Sequence, residues 1–108
     1  MNTVEHRQHA RILGPFDGSR GNVIEMPVQI YDLSLGGCFV NSMYDSPPVG
    51  RAFKMTIDLP GAEGLVLRAE TVYSRPGFGY AVRFLEMSDE TTASLRRAME
   101  KSLTDREE

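Results

Sequence analysis

Two short groups of residues in this chain could act together on a ligand: Arg7-x-x-x-Arg11 near the start, and Asp32-x-Ser34-x-x-Gly37 about twenty residues later. Four positions apart, the two arginines fall on one side of the chain whether the segment is helical or extended. Two such guanidinium forks are enough for a small anion, which needs well-placed donors and no large basic field. Asp32 and Ser34 are two apart, so on an extended backbone their side chains point the same way. Gly36 and Gly37 permit a sharp reversal and a close approach of a ligand to the backbone. Each group also has a plainer reading. The arginines could be scattered charges on a solvated arm, and Asp32 and Ser34 could simply satisfy the hydrogen bonds of a strand corner.

Other reactive residues offer less. His6 and His9 have a usable helical spacing for a metal, but no cysteine or third histidine supports them, and the sequence points to no metal site. Cys38 is the single cysteine; it lies in an apolar run beside Phe39 and reads as a buried, inert thiol of a reducing compartment. With no histidine outside the N-terminal arm as a general base, no GxSxG elbow and no HExxH pair, the chain has no candidate catalytic machinery and is not expected to be an enzyme.

Composition narrows the partners. A chain of 108 residues, 41% of them hydrophobic, is the size of one domain with one core, spanning 1–108. The net charge of −3 comes from residues 86–108, which hold seven acidic and four basic side chains. Without a polybasic face, DNA or RNA is not an expected partner. Apolar runs are too short for a bilayer span and residues 1–10 lack a signal-type segment, so the expectation is a soluble, cytoplasmic protein without membrane insertion.

The elements that must position these residues follow from periodicity. Residues 1–11 read as a polar, mobile arm. Residues 14–22 are crowded with turn formers and read as a loop, with Phe16 as its anchor and Arg20 as a further candidate phosphate contact. Period-two alternation then predicts strands over 26–31, 38–41, 52–59, 65–74 and 80–85, punctuated by Gly/Pro turns. In the 65–74 run, Tyr73 falls on the same face as Leu65, Leu67, Ala69 and Thr71. Ser88 reads as an N-cap and Asp89 and Glu90 as the first turn of a helix over 88–103. Its narrow stripe of Leu95, Met99 and Leu103 suits barrel packing, or alternatively a second subunit. Residues 104–108 should fray. Five or six short strands followed by one helix sum to an all-β fold, a small antiparallel barrel, expected to be six-stranded, over 12–86 with a C-terminal helix.

Taken together, the arginine pair and the Asp-Ser turn resemble the paired signature of the PilZ domain, a bacterial receptor for the second messenger cyclic di-GMP. Gly79-Tyr80-Ala81-Val82-Arg83-Phe84 is similar to that family's glycine-led last strand, and the Ser88 helix start also fits. The resemblance covers residues 5–103 and implies a split-barrel fold. It implies that Arg7 and Arg11 contact phosphate and guanine, and that Asp32, Ser34 and Gly37 form the guanine-side turn, with Gly36 beside them. The chemistry is coherent. A guanidinium can hold a phosphate, read the guanine O6/N7 edge or lie on a base, while a carboxylate accepts from guanine N1–H and N2–H. Some relatives carry an aromatic residue where Tyr73 stands, although the alternation favours a core role for it here. Many relatives have another arginine where His6 stands, which bears on affinity and stoichiometry.

The resemblance implies a stand-alone receptor or adaptor. Cyclic di-GMP would order the arm over the barrel and alter a surface for an unidentified partner protein, with the chain a monomer or weak homodimer. No other cofactor is implied. The alternative is a PilZ-fold interaction module that binds no nucleotide. A third reading, an oligonucleotide-binding barrel, lacks positive surface charge.

Overall fold

Alternation is strongest in Ala52–Leu59, where Phe53, Met55, Ile57 and Leu59 are between 0% and 7% exposed while Lys54, Thr56 and Asp58 face outward. The structure, a computed structural model, describes residues 11–42 and 46–107, the last five of these as backbone only. Six strands form: β1 (Phe16–Arg20), β2 (Met26–Tyr31), β3 (Gly37–Asn41), β4 (Ala52–Leu59), β5 (Ala62–Arg75) and β6 (Gly79–Phe84). One helix, α1 (Asp89–Glu107), follows them. Neighbouring strands are antiparallel and close into a barrel in the order β1-β2-β3-β6-β5-β4. The core is made by inward residues of every strand from β2 to β6 and by Ile12 and Leu33, which are 1% and 0% exposed.

β1 corrects the loop expected over 14–22. Turn formers are unfavourable in an ordinary strand, but here Gly18 is required by crowding. Built at Gly18, a Cβ would lie 2.5 Å from the Thr56 carbonyl oxygen and 2.6 Å from Ile30 Cδ1. The strand pairs on both flanks, with β2 through Phe16↔Ile30 to Arg20↔Met26 and with β4 through Gly18↔Ile57 to Arg20↔Met55, and so completes the closure. Phe16 packs against the core as expected of an anchor.

A second correction concerns β5. Thr71 faces Val82, yet Tyr73 faces Ala81, so two residues of β5 advance against one of β6. Such a bulge shifts the inward and outward alternation by one position. Thr71 remains buried, whereas Val72 and Tyr73 are 46% and 49% exposed. Tyr73 is therefore an outer-face residue and has no place in the core.

Ser88 caps α1, its Oγ accepting from Thr91 N–H at 3.0 Å. Leu95, Ala98 and Met99 are buried where the helix packs on β4 and β5, which is the barrel-packing reading of the stripe. Leu103 lies outside the described side chains. The helix does not fray at 104 but continues to Glu107, since no glycine or proline follows Gly79 to end it. Inside the barrel, Tyr80 is fully buried, meets Phe53 edge-on at 6.4 Å, and lies beneath the Arg20 guanidinium, 5.9 Å from the ring centroid. Burial raises its phenol to about 12, an effect that Arg20 opposes.

Candidate functional site

Ile12 and Leu33 point inward, and that fixes what their neighbours do. Ile12 N–H donates to the Leu33 carbonyl at 2.9 Å, Leu33 N–H returns a bond to the Ile12 carbonyl at 2.8 Å, and Asp32 N–H donates to the Leu13 carbonyl at 3.0 Å. With both apolar side chains in the core, the adjacent Arg11 and Asp32 face outward and side by side. Arg11 donates to Asp32 Oδ2 at 3.0 Å. The pair is half exposed, at 49% and 44% of side-chain surface.

The turn that carries Asp32 differs from the extended pair expected from spacing. Asp32 itself adopts a left-handed conformation, φ 54°, which short polar residues tolerate. Asp32 and Ser34 consequently do different jobs. The Ser34 hydroxyl accepts from Gly36 N–H at 3.1 Å and Gly37 N–H at 3.2 Å and donates to the Gly37 carbonyl at 3.3 Å. Ser34 N–H also reaches that carbonyl, at 2.8 Å. This hydroxyl organises the turn from within.

Gly37 is explained by packing and not by an unusual backbone angle. A Cβ there would sit 2.2 Å from the Val82 carbonyl oxygen, so β3 could not approach β6 with any larger residue. Gly36 is exposed, and its carbonyl accepts from Phe84 N–H at 2.8 Å. Cys38, the next residue, is 5% exposed, and its thiol is pushed up to about 12 by burial and then by the Asp32 charge. It is an inert core thiol at neutral pH.

From this turn a groove of about 960 Å³ runs over the outer face of β3, β6 and β5. It takes in Arg11, Asp32, Ser34, Gly36, Gly37 and Tyr73, six residues singled out from sequence. Arg7 and His6 lie outside the described residues, as does His9. Arg20 does not line the groove; its guanidinium is turned toward Tyr80. Among the described residues no group of three potential ligands could hold a metal.

The groove also contains residues that sequence reasoning passed over, chiefly Phe39, Asn41, Arg75 and Phe78. Alternation within β3 would have placed Phe39 and Asn41 on one face with Gly37. Arg75 was hidden by the β5 bulge, which moves it to the outer face together with Tyr73.

A sequence profile of the PilZ domain matches residues 5–101. The chain belongs to the PilZ family. No curated protein matches it. The solved structures that share the PilZ barrel include the following three. One is the inhibitor of motility MotI/DgrA of Bacillus subtilis, with 20% identity and a TM-score of 0.68 over 91% of this chain and 51% of that one. Another is YcgR of Escherichia coli in complex with cyclic di-GMP, with 19% identity and a TM-score of 0.75 over 94% of this chain and 47% of that one. The third is the PilZ domain of the same YcgR with cyclic di-GMP, at 18% identity and a TM-score of 0.71, covering 94% and 95%. The chain thus spans about half the length of MotI/DgrA and of YcgR. At these identities the likeness establishes the PilZ fold. No helix among the described residues is long and apolar enough to cross a membrane.

Proposed function

We propose that this chain is a cyclic di-GMP receptor that acts as an adaptor for a partner protein. The observation that carries the reading is the meeting of Arg11 and Asp32 at the mouth of one groove. Arg11 and Asp32 belong to different halves of the PilZ signature, distant in sequence, and the two side chains meet where a nucleotide would need both. Arg11 supplies charged hydrogen bonds to phosphate or guanine, and Asp32 accepts from the guanine N1–H and N2–H edge. Ser34, Gly36 and Gly37 hold the turn that presents Asp32. To Arg7 and His6 the PilZ signature alone assigns further contacts with the ligand, and Tyr73 offers a ring to a base. The cyclic di-GMP in both YcgR structures supports this choice of ligand.

Binding exchanges an exposed ion pair for contacts with the ligand and orders the arm over the groove. Charged hydrogen bonds contribute roughly 1.5 to 3 kcal/mol each, so two arginines offset the ordering of a few residues. The changed surface is then what a partner meets. The function is binding and relay in the cytoplasm, with no catalytic step.

One observation favours the alternative, a PilZ-fold interaction module without nucleotide: Arg11 and Asp32 already pair with each other, and the Ser34 hydroxyl is engaged by its own turn. Titration calorimetry with cyclic di-GMP decides between the two. Saturable heat and a raised melting temperature support the receptor, because a ligand that binds only the folded state must stabilise it. No heat and no shift at high ligand leave the interaction module.

A further inference from the structure

We propose that Arg75 is a third cationic contact for the ligand, holding the half of it that lies farthest from Asp32 across a floor made by Ala81. The proposal rests on reading the groove as a cyclic dinucleotide site.

Strand register sets the layout. Phe39 of β3 pairs with Ala81 of β6, which pairs with Tyr73 of β5; one row on, Asn41 pairs with Gly79, which pairs with Arg75. In these two rows the central strand carries only an alanine and a glycine, flanked on one side by Phe39 and Asn41 and on the other by Tyr73 and Arg75. That contrast in side-chain size makes the channel. In the opposite direction along the strands, Arg83 and Glu70 pair at 3.1 Å and stand outside it.

Arg75 is prepared for a ligand in two ways. Phe78 N–H donates to the Arg75 carbonyl at 2.9 Å, and Gly77 has φ 87° after Pro76, so a tight turn fixes the backbone at Arg75. Its side chain is exposed and takes no part in the ion pairs Arg11–Asp32, Lys54–Glu25 and Arg83–Glu70.

Length then selects the ligand. Gly37 and Arg75 are separated by two rows along the strands and two strands across, on the order of 16 Å between backbones. A mononucleotide placed at Asp32 does not span that distance. A cyclic dinucleotide, with two phosphates and two guanines, presents a second anionic group to the far arginine.

Titration calorimetry of the full chain with cyclic di-GMP, comparing wild type, Arg75→Ala, Arg75→Lys and Ala81→Leu, tests the arrangement. Arg75→Ala is expected to weaken binding about 10- to 100-fold, with Arg75→Lys in between because it keeps charge but loses the fork. Ala81→Leu, which fills the floor from the outer face, is expected to abolish binding. Melting temperatures without ligand should be unchanged in all three variants. Wild-type affinity in Arg75→Ala, or normal binding by Ala81→Leu, overturns this proposal while leaving the receptor reading intact. No binding by the wild type overturns both.

Discussion

Arg11 and Asp32 are 21 positions apart and meet at 3.0 Å because the residues that follow them, Ile12 and Leu33, are paired with each other and buried. The contact is a surface ion pair, and such pairs contribute little to stability. Arg11→Ala and Asp32→Asn, the latter keeping a residue that tolerates the left-handed backbone, should each change the free energy of unfolding by no more than about 1 kcal/mol in urea titrations. Each should nevertheless reduce cyclic di-GMP affinity about 10- to 100-fold. A loss of several kcal/mol from either would make the pair structural.

Gly37 separates a folding role from a binding role. Because a Cβ would meet the Val82 carbonyl oxygen at 2.2 Å, Gly37→Ala should destabilise the unliganded barrel by about 1–3 kcal/mol. The urea midpoint without ligand is the deciding measurement. If it does not move while affinity falls, the glycine serves the ligand and not the β3–β6 approach.

Tyr73 and Tyr80 should respond in opposite ways to truncation. Tyr80 is fully buried and Tyr73 is 49% exposed. Tyr80→Ala is expected to cost about 3–5 kcal/mol of stability. Tyr73→Ala should alter stability by less than about 0.5 kcal/mol, but weaken cyclic di-GMP by roughly 5- to 100-fold through loss of base stacking. Stability loss at Tyr73 comparable to Tyr80 would restore the core role that strict alternation assigns it.

Alkaline pH should destabilise the barrel through two buried groups. Cys38 rises from 9.0 to about 12 and Tyr80 from 10.0 to about 12, both chiefly by burial. Their neutral forms are favoured in the folded state, so the unfolded chain loses its protons first. The associated stability is complete below about pH 9 and is lost as pH rises toward 12. Urea midpoints taken from pH 7 to 11 should fall above pH 9, and Cys38→Ala should flatten the early part of that fall. An unchanged slope in the variant would show that the thiol titrates as if exposed.

Much of this molecule is legible in its sequence, and the misreadings have local physical causes. β4 is read residue for residue, because strict alternation and one buried face leave no ambiguity. β1 is not, because Gly18 looks like a turn former until the crowding by Thr56 and Ile30 is known. Tyr73 is misread because one extra residue in β5 reverses the face of everything after it, and alternation has no sign for a bulge. At the site, the residue types of the Asp32 turn are evident from spacing, but their division of labour is not. The backbone at Asp32 is left-handed, so Ser34 turns inward on its own loop while Asp32 faces the groove. Arg75 is invisible to motif reading, since its place depends on the same bulge.

The bridge between Ile12 and Leu33 has a consequence for how defects in this protein will present. Each charged residue at the groove mouth is covalently next to a fully packed one, so the coordinates of the guanidinium and the carboxylate are set by hydrophobic contacts beneath them. With the groove as the receptor site we propose, a genetic screen for loss of its function should return Ile12 and Leu33 alongside Arg11 and Asp32, although neither apolar side chain lines the groove. Trimming either to alanine would displace its charged neighbour, and what began as a packing fault would register as deafness to the messenger.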